Sequence, residues 1–84
     1  MRMKVAVPDA ERGFVLAGQL ARFSAEVVGR DGDGGYEVAL DEPSSQELPA
    51  VLALIERWIE DEHVDAARVQ LDGRSYTMEL NATR

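Results

Sequence analysis

Residues 29 to 37 read Gly-Arg-Asp-Gly-Asp-Gly-Gly-Tyr-Glu, and carboxylates alternating with glycine are the raw material of a calcium loop. Counted from Asp31, an EF-hand loop would find Asp33 at its third position and Glu42 at its twelfth. Its fifth position is Gly35, which offers no side-chain oxygen, and its sixth, where the sharp turn takes glycine, is Tyr36. The flanks alternate as strands do, whereas a calcium loop joins helices. A phosphate-cradling loop needs a lysine after its glycines and a helix behind them, and neither follows here; a dinucleotide fingerprint fails on the same helix. A second chemical spacing is Glu60-x-x-His63, which carboxylate-bridged metal sites use together with carboxylates from neighbouring helices. Here the pair falls at the polar end of a helix, where His63, the sole histidine, reads as a solvated residue favoured by the helix dipole. No serine or threonine has an identifiable histidine and acid to activate it. The carboxylates crowd one exposed helix face rather than flanking an apolar pocket. The expectation is a non-enzyme, with no catalytic residue, no metal and no cofactor.

The balance of charge narrows the partners. The chain has 84 residues, one domain's worth (1–84), and a net charge of −7. Residues 42 to 65 hold seven acids and one base, Arg57, while residues 1 to 41 hold seven acids and five bases. A surface this acidic repels phosphate backbones, so no nucleic acid is expected and a basic protein partner would suit it. Arg57, Glu60 and Asp61, on the outer face of the second helix, are the candidate partner-binding residues; a plain solvated face is the competing reading. Cysteine is absent, which excludes disulfides and fits a reducing cytoplasm. No apolar run approaches the ~18 residues that span a bilayer. The start, Met-Arg-Met-Lys-Val-Ala-Val, reads as a strand rather than a signal peptide.

The elements that carry these residues follow from period. Met3, Val5 and Val7 alternate with Arg2, Lys4 and Ala6, predicting a half-buried strand that Pro8 ends. Asp9 predicts an N-cap, and the helix behind it shows a wide apolar stripe of Ala10, Phe14, Ala17 and Ala21 beside Leu16, Leu20 and Phe23. Gly13 and Gly18 lie inside it; close packing on a sheet or a backbone approached by a ligand would each account for them, and packing is preferred. Two further strands, at Ala25–Val28 and Tyr36–Asp41, flank the glycine stretch. A four-residue loop from Asp31 to Gly34 sets Val27 opposite Val38 and Glu26 opposite Ala39, whereas the competing loops set Glu26 against Glu37 or Asp41. Leu48, Val51, Leu52, Ile55, Trp58 and Ile59 recur at helical spacing, with Pro49 in the first turn and Ser44 and Glu47 at capping-box distance. Trp58 could anchor a partner, but its spacing assigns it to the core. Asp72-Gly73 predicts a two-residue hairpin pairing Leu71 with Arg74, Val69 with Tyr76 and Ala67 with Met78. The order strand, helix, strand, strand, helix, strand, strand predicts an α+β, ferredoxin-like βαββαβ sandwich: an antiparallel sheet with an added C-terminal strand and both helices on one face. The added strand's outer edge invites a homodimer through a sheet edge or face.

Two resemblances bear on function. Pro8-Asp-Ala-Glu-Arg-Gly-Phe-Val-Leu-Ala-Gly-Gln-Leu20 resembles the opening of ACT regulatory domains, which implies an amino-acid-like ligand near Asp9, Arg12 and Gly13. The usual proline before the glycine is missing. Trp58-Ile59 followed by Val69-Gln-Leu-Asp-Gly-Arg74 is similar to the small effector-associated domains of bacterial conflict systems, which implies a non-enzymatic interaction module. Copper chaperones, acylphosphatase-like enzymes and RNA-recognition motifs are excluded by the missing Cys-x-x-Cys pair, the missing glycine-rich loop with arginine after the first strand, and the acidic surface. The expected role is a small non-catalytic interaction or regulatory module; the alternative is a small-molecule-sensing domain of ACT type.

Overall fold

In β1 (Arg2–Val7), Met3, Val5 and Val7 are buried while Arg2 and Lys4 are exposed, the alternation of a strand with one covered face. The computed structural model of the chain describes residues 2–29, 35–64, 66–71 and 73–79. Asp9, in extended backbone, opens α1 (Ala10–Gln19), and its Oδ1 accepts a 2.8 Å hydrogen bond from the Arg12 amide. Gly13, Leu16 and Leu20 turn inward, and Ala17 packs beside them. The wide stripe expected here is narrower in the fold: Phe14 is 66% exposed and Ala21 is exposed. Two residues along a helix turn it by roughly 200°, so burying Leu16 points Phe14 away from the sheet. The helix stops at Gln19, and a short 3-10 turn, Ala21–Phe23, buries Phe23 before Ser24 takes the left-handed conformation (φ 57°).

β2 (Glu26–Gly29) and β3 (Tyr36–Asp41) pair antiparallel with Val27 opposite Val38 and Glu26 opposite Ala39. This is the register that separates like charges. The loop that closes it, Asp31 to Gly34, lies outside the described residues.

Ser44 and Glu47 make the reciprocal exchange their spacing predicts: the Ser44 amide donates to Glu47 Oε1 at 3.1 Å and the Glu47 amide to Ser44 Oγ at 3.2 Å. The exchange caps the turn ahead of α2 (Leu48–Asp61), whose own N-cap position, Glu47, makes no side-chain cap bond. Pro49 sits in the first turn, where a missing amide costs nothing. Val51, Ile55, Trp58 and Ile59 are buried. The helix ends in a Schellman motif: the His63 amide donates to the Glu60 carbonyl (3.4 Å) and the Val64 amide to that of Ile59 (3.0 Å), with His63 left-handed (φ 54°) and Val64 buried.

β4 (Ala66–Leu71) and β5 (Arg74–Glu79) form the last hairpin in the predicted register, Leu71 opposite Arg74, Val69 opposite Tyr76 and Ala67 opposite Met78. Gly73 has the positive φ (76°) that this tight turn requires, and its other central residue, Asp72, lies outside the described residues. The sheet runs β2-β3-β1-β4-β5, antiparallel throughout. It is the ferredoxin-like α+β arrangement with one strand added beyond β4. One core joins Met3, Val5, Leu40 and Val69 of the sheet to Leu16 and Leu20 of α1 and Ile55, Trp58 and Ile59 of α2. Arg2, Lys4, Glu26, Arg68, Gln70, Ser75 and Thr77 stay exposed on the opposite face. Among the described residues no helix is long and apolar enough to cross a membrane.

Candidate functional site

Asp9, Arg12 and Gly13 meet at the start of α1. Asp9 Oδ2 pairs with Arg12 Nη1 at 2.6 Å, Arg12 Nε donates to the Glu62 carbonyl at 3.1 Å, and Trp58 Nε1 donates to the Arg12 carbonyl at 3.0 Å. Arg12 thus ties the first turn of α1 to the last turn of α2. The Arg12 backbone amide foremost, with its guanidinium, holds the Asp9 carboxyl below its ordinary pKa against the opposing effect of desolvation. Gly13 is closed by packing. A Cβ there would lie 3.1 Å from Val7 Cγ2 and 3.4 Å from both Val27 methyl groups. Gly18 differs, with nothing within 4 Å of the corresponding point. A shallow cleft of about 400 Å³ between Pro8, Arg12, His63, Val64 and Ala66 adjoins the clamp.

On the outer side of α2, Arg57 Nε lies 3.8 Å from Asp61 Oδ2, and Glu60 is exposed nearby. Glu60 and His63 do not share a helical face: α2 ends at Asp61, and the left-handed turn takes His63 out of the helix. Among the described residues no group of three or more histidines, aspartates and glutamates could hold a metal, and no polar or charged side chain is buried.

Two surface features complete the picture. On the open face, a polar depression of about 480 Å³ forms around Ala6, where a small side chain sits between Lys4, Glu37, Arg68 and Gln70; Lys4 Nζ and Glu37 Oε1 are 3.8 Å apart. On the helix side, an apolar groove of about 260 Å³ is lined by Leu48, Leu52, Val69, Leu71, Tyr76 and Met78. Residue pattern assigns Tyr76 to the covered face of β5, yet Tyr76 is 49% exposed. The reason is width. Two helices of ~10 Å cover about four strands spaced ~4.8 Å apart, so a fifth strand overhangs the helical layer. Strand and helix counts in the sequence carry that signal, and the periodicity of each segment taken separately does not.

No protein-family model matches the chain, and neither curated proteins nor solved structures yield a match, so a functional reading rests on this geometry.

Proposed function

We propose that this chain is a small non-catalytic interaction module of regulatory kind, working in the cytoplasm, which docks protein through the β5 edge and the apolar groove beneath it. The observation that carries this reading is the groove itself: Tyr76 stands half exposed over Leu48, Leu52 and Leu71, on a strand that is the edge of the described sheet. Catalytic groups are usually tuned by burial, and the described residues bury no ionisable side chain. The exposed acids of α2, with Arg57 among them, favour a basic surface on whatever docks. The similarity to effector-associated domains points the same way. A sensing role of ACT type would require Arg12 to release both Asp9 and the Glu62 carbonyl, which places it second.

A photo-crosslinking amino acid in place of Tyr76 tests the reading in cells. Discrete protein adducts are expected from position 76 and not from Glu11, an exposed residue on the far side of α1. Equal, background-level labelling from both positions would overturn it.

A further inference from the structure

We infer that the occupant of this edge and groove is a second copy of the chain, paired β5 to β5 in antiparallel fashion about a two-fold axis near Tyr76 and Thr77. The inference rests on the interaction-module reading and names its partner.

Three observations carry it. The first is that β5 is a long edge strand with an uncharged centre, Ser75 to Met78. In the described sheet it has β4 on one side and no strand on the other, and its sequence, Arg-Ser-Tyr-Thr-Met-Glu, holds no proline, no lysine and no glycine. The opposite edge, β2, is described over Glu26–Gly29. Natural sheets protect edges with short strands, proline and charge; β5 is the longer of the two described edges, has no proline, and carries charge only at its two ends, Arg74 and Glu79. The second is phase. Leu71 and Arg74 close a two-residue hairpin as a hydrogen-bonded pair, so residues 74, 76 and 78 bond to β4 and the amides of Ser75 and Thr77 point outward. A two-fold antiparallel partner accepts those amides on its own outward carbonyls and donates its amides in return, and the inner faces of both strands stay on the helix side. Tyr76 then lies against Tyr76 or Met78 of the second copy, and the two apolar grooves become continuous.

The third is charge. Leu48 and Leu52 flank Leu71 and Tyr76, so the N-terminal half of α2 lies beside the hairpin end of β5. Glu56 and Glu60 continue the same four-residue spacing toward the other end. The antiparallel operator carries the hairpin end of one copy, with its exposed Arg74, to the acidic half of α2 in the other, and repeats the contact by symmetry. It also keeps the two copies of Arg74 at opposite ends of the seam. The crowding of acids toward the C-terminal end of α2, unfavourable for that helix in isolation, acquires a purpose in the pair.

Sedimentation of the full chain from micromolar to millimolar concentration tests this. Wild type is expected at twice the chain mass. Thr77→Pro, which removes an outward amide without touching the β4 ladder, and Tyr76→Lys are expected at the monomer mass, whereas Phe14→Ser, which removes the most exposed aromatic elsewhere, keeps the dimer. Arg74→Glu should weaken association at least tenfold, and adding Glu56→Arg should restore it. A monomer at every concentration, or a dimer indifferent to Thr77→Pro and Tyr76→Lys, overturns the inference. Hydrogen exchange on wild type needs no variant: the Ser75 and Thr77 amides should be protected at high concentration and lose protection on dilution, and equal exchange at both concentrations overturns it too. If the chain is a strict monomer and the crosslinker at position 76 still captures a different protein, self-pairing fails while the module reading stands. If the crosslinker captures nothing, both fail.

Discussion

His63 and Ser24 hold the left-handed conformation without being glycine or asparagine, at φ 54° and 57°. Neither was legible in the sequence, because the usual signals of a left-handed residue are glycine and asparagine, and the Glu60-x-x-His63 spacing suggested a continuing helix instead. At His63 the Schellman bonds and the burial of Val64 hold the conformation against its intrinsic cost. His63→Gly is therefore expected to stabilise the fold by about 0.5–1 kcal/mol, since glycine takes this conformation freely. A thermal melt should show a rise of a few degrees, about 4–8 °C per kcal/mol for a domain this small. An unchanged or lowered melting temperature would mean that the imidazole makes a contact worth as much as the relief. Trp58 was legible. Its spacing assigned it to the core, and it is fully buried with its indole nitrogen satisfied by the Arg12 carbonyl.

Among elements, the two hairpins are the most readable: turn chemistry and face pattern agree on the register of the last one, and in the first, where several loops keep the face pattern, avoidance of like charges selects the register seen. The first helix is less legible in its sequence. Its stripe of alanines and Phe14 looked as apolar as the stripe that is buried, and only contact with the sheet decides between them. The two glycines of α1, alike in the sequence, differ in the fold: Gly13 is packed and Gly18 faces open space. Gly18→Ala adds a methyl to open space and should stabilise by about 0.5–1 kcal/mol through helix propensity. Gly13→Ala has the same propensity gain, but its methyl meets the side chains of Val7 and Val27; Val7 is buried in a strand paired on both sides and gives way poorly. Denaturant midpoints should rise for Gly18→Ala and rise less or fall for Gly13→Ala. A larger gain at Gly13 would show that space exists where the packing leaves none. The apolar groove is an element-level property as well, arising from five strands under two helices.

For the molecule as a whole, two carboxylates tie down the approaches to the helices. Asp9 is held below its ordinary pKa by the Arg12 amide and guanidinium, and Glu47 by the Ser44 amide and hydroxyl with help from the charge of Arg22. A depressed folded-state pKa contributes stability that is fully present above the unfolded-state value and is lost as pH falls through the folded one. Stability should therefore be flat near neutrality and decline below about pH 4, the ordinary carboxylate range. Asn at position 9 can still cap the helix but cannot ionise. Asp9→Asn should be less stable than wild type at neutral pH by a margin that closes in acid, which urea titrations across that range would read. A constant margin would assign the effect to shape rather than charge.

β1 lies at the centre of the sheet, with Val5 opposite Val38 on one side and Val69 on the other. β1 is thus completed by a strand made well after it. While the chain is being synthesised, β1 can pair with β3 but keeps an open flank until β4 arrives roughly sixty residues later, and non-local closures of this kind are slow. For that interval a nascent chain displays a half-built sheet whose central strand is its own exposed edge. Protection by a chaperone would matter most during that interval, before β4 is available to close the sheet.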